Sequence, residues 1–216
     1  MKKYETILFD LDGTLINTEK GILTCMKHTA SVFNINTDNI DFRQYIGPGL
    51  LSSFTELLGN ASKAEDAVDV YRSHLEKIKF SLDSLYDGIY EMLEKLKIKG
   101  YTLVITTAKL ERFAKMSLTY FKIDHFFDHV FGATIDDIRT EKEDIIEYAI
   151  KTQDIDKDSA LIIGDRKHDL EAADEIGIDA VGVLYGFGTE EEISKYDTVF
   201  TAKTVKELEN FLVSIE

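Results

Sequence analysis

The chain has 216 residues, 44% of them hydrophobic, with 40 acidic side chains against 25 Lys and Arg and a formal net charge of -15. That length buries a real core, and the acidic balance leaves no basic surplus for general nucleic-acid binding, although a small phosphorylated substrate beside a cation is still allowed. No apolar run is long enough to cross a bilayer, Met1-Lys2-Lys3-Tyr4-Glu5 lacks the apolar stretch of a signal peptide, and the single Cys25 permits no internal disulfide, so a reducing cytoplasm is the expected location.

Residues 6–11 are short, apolar and partly β-branched, which predicts a buried parallel strand. From Ile16 to about Leu85 no convincing strand follows. That stretch reads as helices over about 18–33, 50–58 and 64–80, with Gly47-Pro48-Gly49 as a turn between the first two. From about residue 86 helix and strand alternate. Helices are expected over 88–99, 111–121, 142–152 and 205–215. Strands are expected over 102–106, 160–163 and 180–184, with weaker candidates at 129–131 and 198–200. The alternation predicts an α/β fold, a Rossmann-like parallel sheet core from 1–15 and 85–216, with an inserted all-helical domain over 16–84.

Three strand ends carry the chemistry. The first is Ile7-Leu8-Phe9-Asp10-Leu11-Asp12-Gly13-Thr14, an apolar strand that ends in two carboxylates one residue apart. Side chains at i and i+2 of a strand share a face, so Asp10 and Asp12 can look onto one site at a carboxyl end, where open α/β sheets bind ligands. Gly13 lets the chain turn away. The competing reading is an acidic turn. A calcium loop is excluded because Leu15 stands where that loop needs Gly.

The second is Val104-Ile105-Thr106-Thr107-Ala108-Lys109, where a hydroxyl and backbone N–H groups at a helix start could hold a phosphate, or Thr107 could simply cap the helix. The third is Gly164-Asp165-Arg166-Lys167-His168-Asp169, a carboxylate after a buried strand with a second one four residues on. Asp169 has a plain N-cap as its alternative. Hard oxygen ligands of this kind suit magnesium. Carboxylates converging from several strand ends repel one another unless a cation joins them. His28, His74, His125 and His129 show no metal-ligand spacing, and Cys25 reads as packing.

Asp10-x-Asp12-x-Thr14, Thr107, Lys142 before a helix, and Gly164-Asp165-x-x-x-Asp169 together resemble the motifs of the haloacid-dehalogenase-like superfamily, over essentially the whole chain. The helical insert, Gly47-Pro48-Gly49 and Leu184-Tyr185-Gly186-Phe187-Gly188 look like the small-cap, phosphoglycolate-phosphatase-like branch. The resemblance implies a magnesium-dependent phosphatase acting on a small-molecule phosphate ester. By it, Asp10 is the nucleophile that becomes an aspartyl-phosphate, and Asp12 is the general acid and then base. Thr107, the Ala108 amide and Lys142 bind phosphoryl oxygens. Asp10, the Asp12 carbonyl, Asp165 and Asp169 form the Mg2+ site, with Gly13 and Thr14 in support. Two positions depart from the family pattern. Arg139-Thr140-Glu141-Lys142-Glu143 lacks the usual Lys-Pro pair, which leaves Arg139 as a rival to Lys142, and the adjacent Thr106 rivals Thr107. A nucleotidase or pyrophosphatase on the same core is the alternative. A phosphomutase and a non-catalytic binding protein stand further off, the latter because Asp10 and Asp12 are both present.

Overall fold

The computed structural model describes residues 4–135 and 139–215; Met1 to Lys3, part of the N-terminal segment read above, lie outside the described residues. Two compact units divide the chain. One runs through the described residues to Asn17 and resumes at Leu85, and the other is Thr18–Ser84.

The first unit is the expected α/β sheet. Strands β1 (Thr6–Phe9), β4 (Thr102–Leu110), β5 (His129–Ala133), β6 (Ala160–Gly164), β7 (Asp179–Val183) and β8 (Phe200–Ala202) form one sheet in the order β5-β4-β1-β6-β7-β8. The pairings β1–β4, β1–β6, β4–β5, β6–β7 and β7–β8 are parallel. The chain builds outward from β1 to β4 and β5, then returns to the other side of β1 for β6, β7 and β8. The direction of winding therefore changes at β1, and a crevice at the carboxyl ends is the consequence.

Strand alternation explains why the sheet is covered on both faces. In register, Ile7, Leu103 and Leu161 point to one side with Phe9, Ile105 and Ile163. There they pack on α4 (Ile89–Ile98), α5 (Glu111–Tyr120) and α9 (Val205–Ser214) through Met92, Leu93, Leu96, Leu118, Leu208 and Leu212. Leu8, Val104 and Ile162 point to the other side, against Ile145, Ile146 and Ala149 of α6 (Lys142–Gln153) and Leu170 and Ala173 of α7 (Lys167–Ile176). Strands buried on both faces have to be continuously apolar, which is why these runs were legible.

The second unit holds α1 (Glu19–Val32), α2 (Leu50–Leu58) and α3 (Ala61–Ile78). Cys25, Met26, Ala30, Phe54, Ala67, Val68, Tyr71 and Leu75 are buried, and Phe54 meets Tyr71 edge-on at 6.0 Å. The expectation of no strand across 16–85 needs correction. Two-residue strands β2 (Ile16–Asn17) and β3 (Ser84–Leu85) form a small second sheet at its borders, too short for side-chain alternation to reveal. A one-turn helix, α8 (Glu190–Ile193), also escaped the sequence pattern.

Candidate active site

β1 ends at Phe9, two residues earlier than expected, so the i, i+2 rule of a strand does not govern the two acids that follow. The chain instead turns at once: Gly13 has φ +91° and its N–H donates to the Ile16 carbonyl at 2.8 Å. A Cβ on Gly13 would lie 2.2 Å from Asp165 Oδ2, so both the backbone conformation and the close approach require glycine. Asp10 and Asp12 consequently face different lysines.

Asp10 accepts a hydrogen bond from Lys142 Nζ. The same ammonium reaches Asp169 Oδ1 at 2.8 Å and donates to the Thr106 carbonyl at 2.9 Å, which fixes it at the ends of β1 and β4. Asp165, directly after β6, has 0% exposure, and Asp169 in the first turn of α7 has 2%. Carboxylate oxygens of Asp10, Asp165 and Asp169 all lie within 4.8 Å of one another.

Around Asp165 the Phe187 N–H donates to Oδ2 at 2.6 Å and Thr14 Oγ1 approaches Oδ1 at 3.4 Å, while Tyr185 donates its hydroxyl to the Thr14 carbonyl at 3.0 Å. Asp169 does more than cap. Its Oδ2 accepts the Arg166 N–H at 3.2 Å, the capping use, while Oδ1 turns to Lys142.

Of three buried carboxylates, Asp10 and Asp169 thus share one ammonium, while Asp165 lies beside them without contacting it. Burial pushes the Asp10 carboxyl from 3.8 up to about 7; Lys142 pulls against that rise, and Asp169 and Asp12 add to it. Burial, followed by Asp10 and Asp169, holds Asp165 well above its usual range. Lys142 loses from burial but gains more from Asp10 and Asp169, so it stays charged, above its ordinary value. The remaining excess of negative charge, presented by hard oxygen donors, fits a small divalent cation such as Mg2+. The Asp12 carboxylate is not in that cluster, so only its backbone carbonyl is left for such a role.

Asp12 pairs with Lys109 instead: Nζ to Oδ1 is 2.5 Å, with side-chain exposures of 11% and 20%. The sequence motif around Thr107 contains Lys109 without pointing to a role for it. Its placement depends on β4, which continues to Leu110 rather than stopping at Thr106. The expected helix start after Thr107 is therefore corrected. Helix α5 begins at Glu111 with Leu110 as its N-cap, so Thr107 caps nothing, and Ala108 lies in the strand and not among helix-start N–H groups. Thr107 is buried and its hydroxyl accepts the Lys109 N–H at 3.2 Å; Thr106 is equally buried.

The polar Thr107-Ala108-Lys109 end of the strand lacks the apolar signal on which strand prediction relies. Arg139 lies elsewhere. It donates to the Gly132 carbonyl at 3.0 Å and to Glu111 at 2.9 Å, and it stacks on Tyr148 at 4.1 Å, whereas Lys142 enters the carboxylate cluster.

A family model described as haloacid dehalogenase-like hydrolase matches residues 7–183. A 5'-nucleotidase of Pseudomonas aeruginosa is 35% identical over 193 residues, covering 88% of this chain and 87% of its own. Pyrophosphatase PpaX of Bacillus mycoides is 34% identical over 186 residues, 85% of each chain. A crystal structure of a predicted phosphatase from Clostridium acetobutylicum superposes with a TM-score of 0.93 at 34% identity, covering 98% of this chain and 99% of that one. Among the described residues no helix is long and apolar enough to cross a membrane.

Proposed function

The chain belongs to the haloacid dehalogenase-like hydrolase family, and from that premise we propose that it is a Mg2+-dependent phosphatase that hydrolyses a small phosphorylated metabolite through an aspartyl-phosphate on Asp10. The observation that carries this reading is the convergence of Asp10, Asp165 and Asp169 at the carboxyl edge of the sheet, with Lys142 paired to Asp10 and Asp169.

Asp10 is the nucleophile. It follows a strand buried on both faces, so its carboxylate is held in place, and Lys142 orients one of its oxygens. Phosphoryl transfer asks chiefly for positioning and for charge neutralisation over the equatorial oxygens. Lys142 supplies a fixed positive charge for that, and Thr107 with the Ala108 N–H, at the end of the neighbouring strand, completes the phosphoryl site. Mg2+, held by Asp10, Asp165, Asp169 and the Asp12 carbonyl, would neutralise phosphoryl charge when bound. Gly13, Thr14 and the Phe187 N–H keep Asp165 in position.

Asp12 protonates the oxygen of the leaving group as the bond from phosphorus to that oxygen breaks and the bond to Asp10 forms. It then takes a proton from the water that attacks the aspartyl-phosphate, which releases phosphate and restores Asp10. The names of the two relatives make nucleoside 5'-monophosphates and pyrophosphate the first candidates.

A panel of phosphorylated metabolites, assayed with and without Mg2+ and ranked by kcat/KM, tests the proposal. Magnesium-dependent release of phosphate that is lost in Asp10→Asn is expected. An inactive wild type on every member, or undiminished activity in Asp10→Asn, overturns the reading.

A further inference from the structure

The Lys109–Asp12 pair is built by a specific irregularity of the sheet. β4 and β5 run in register through Thr107 opposite Gly132, and the next pair is Leu110 opposite Ala133. Two residues, Ala108 and Lys109, are therefore accommodated on β4 where β5 has none. A bulge of this kind bends the strand and re-aims the side chains it contains. The space for it comes from the neighbouring strand. A Cβ on Gly132 would lie 2.5 Å from the Lys109 carbonyl oxygen and 2.7 Å from the Glu111 Cα.

Arg139 tethers the same place from behind, bonding the Gly132 carbonyl and the Glu111 carboxylate. Thr107 closes the turn by accepting the Lys109 N–H. The pair that results is largely shielded from water, unlike Lys115–Glu111, whose lysine side chain is 57% exposed. A solvent-exposed surface pair contributes little, whereas one held in this way fixes a carboxylate's orientation.

We infer that Lys109 is a positioning residue for Asp12. From the bulge its ammonium holds Asp12 Oδ1, which leaves Oδ2 as the oxygen that exchanges protons. In the first half-reaction the proton on Oδ2 passes to the leaving-group oxygen as that oxygen parts from phosphorus. In the second, Oδ2 takes the proton from water as its oxygen bonds to phosphorus and the bond from phosphorus to Asp10 breaks. The inference rests on the proposed phosphatase reading with Asp12 as the acid and base.

Leaving-group dependence tests it, because a positioned acid matters most when the departing oxygen is a poor leaving group. Wild type, Lys109→Met and Lys109→Arg are compared with Mg2+ on p-nitrophenyl phosphate, phenyl phosphate and a simple alkyl phosphate, with kcat/KM reporting the first half-reaction. Lys109→Met is expected to lose about 100-fold on the alkyl phosphate and only a few-fold on p-nitrophenyl phosphate, with Lys109→Arg recovering most of the difference. Arg139→Met, which loosens the bulge without touching Lys109, is expected to shift the same ratio in the same direction and keeps the test open if Lys109→Met folds poorly.

An equal loss on all three esters overturns the inference in favour of a phosphate-binding role for Lys109, and no loss overturns it outright. A wild type inactive on every ester overturns the phosphatase reading itself, a separate result from an active wild type whose leaving-group dependence ignores Lys109.

Discussion

Polar groups cluster at both edges of the parallel sheet, and they are balanced differently. At the amino edge Tyr4, ahead of β1, donates to Asp179 at the start of β7 at 2.5 Å. Asp128, ahead of β5, accepts the Leu103 N–H at 2.9 Å and Lys97 at 2.7 Å. Burial alone would raise Asp128, but Lys97 and the Leu103 N–H hold it below the usual carboxylate range. Each donor or acceptor named there meets a matching partner, so the amino edge stabilises the fold.

At the carboxyl edge Asp10, Asp165 and Asp169 are gathered together, buried, with one lysine that pairs with Asp10 and Asp169, and two of the acids are raised above their ordinary values. Such a cluster costs stability and persists where function demands it. On the proposed reading, the amino edge of the sheet serves folding and the carboxyl edge serves chemistry.

The largest expected effect separates the two edges directly. Asp10→Asn should lower phosphatase kcat by more than about a thousandfold, since no other group replaces the nucleophile. Its melting temperature without metal should equal or exceed that of wild type, because a buried negative charge has gone; a clear fall would contradict the account of that edge.

Next in size is Lys142→Met, which leaves Asp10 and Asp169 without their ammonium beside a third buried carboxylate. A loss of about 3 kcal/mol in chemical denaturation without metal is expected, the order seen when one partner of a buried pair is removed. Added Mg2+ should return part of it, and a variant as stable as wild type in both conditions would break the comparison.

The third effect is on pH. Asp10 binds a proton more tightly in the folded protein, about 7 against 3.8. Between those values the native state therefore holds more protons than the unfolded chain, and stability declines as pH rises through the window. Below it, Asp128 works in the opposite direction: its folded value is depressed, so its contribution is lost as the pH falls through that value. Metal-free protein should thus melt highest near pH 5 and lower at pH 7.5, with Mg2+ flattening the difference. A melting temperature that climbs steadily from pH 5 to 7.5 without metal would contradict this.

The smallest effect belongs to the amino edge. Asp128→Ala should cost about 1–2 kcal/mol, mostly for the unpaired Leu103 N–H, because the partly exposed ion pair adds little. Its kcat and KM should match wild type; a kinetic change would show that the two edges are coupled.

What could be read from the sequence follows the same division. Asp10 and Asp165 each end a run made continuously apolar by burial on both faces, and the acid after such a run stands out. The helices of the Thr18–Ser84 unit were readable from their spacing alone. Lys109 was not, because its position depends on a bulge that exists only once Gly132 and Arg139 are brought to β4 from far along the chain. The choice between Arg139 and Lys142 had the same character. Both lie in one short segment, and only the folded chain sends one to Gly132 and Glu111 and the other to Asp10. The carboxyl of Asp169 could not be divided in the sequence between capping and site, since it serves each with a different oxygen.

The central claim is that Asp10 carries the phosphoryl group. Acid-quenching the protein during turnover with Mg2+ and a substrate found in the panel, followed by peptic digestion at low pH and fragment mass spectrometry, reads this directly. The account predicts a phosphoryl adduct on Asp10, absent from Asp10→Asn. An adduct on another residue, or full turnover by Asp10→Asn with no adduct anywhere, would contradict it.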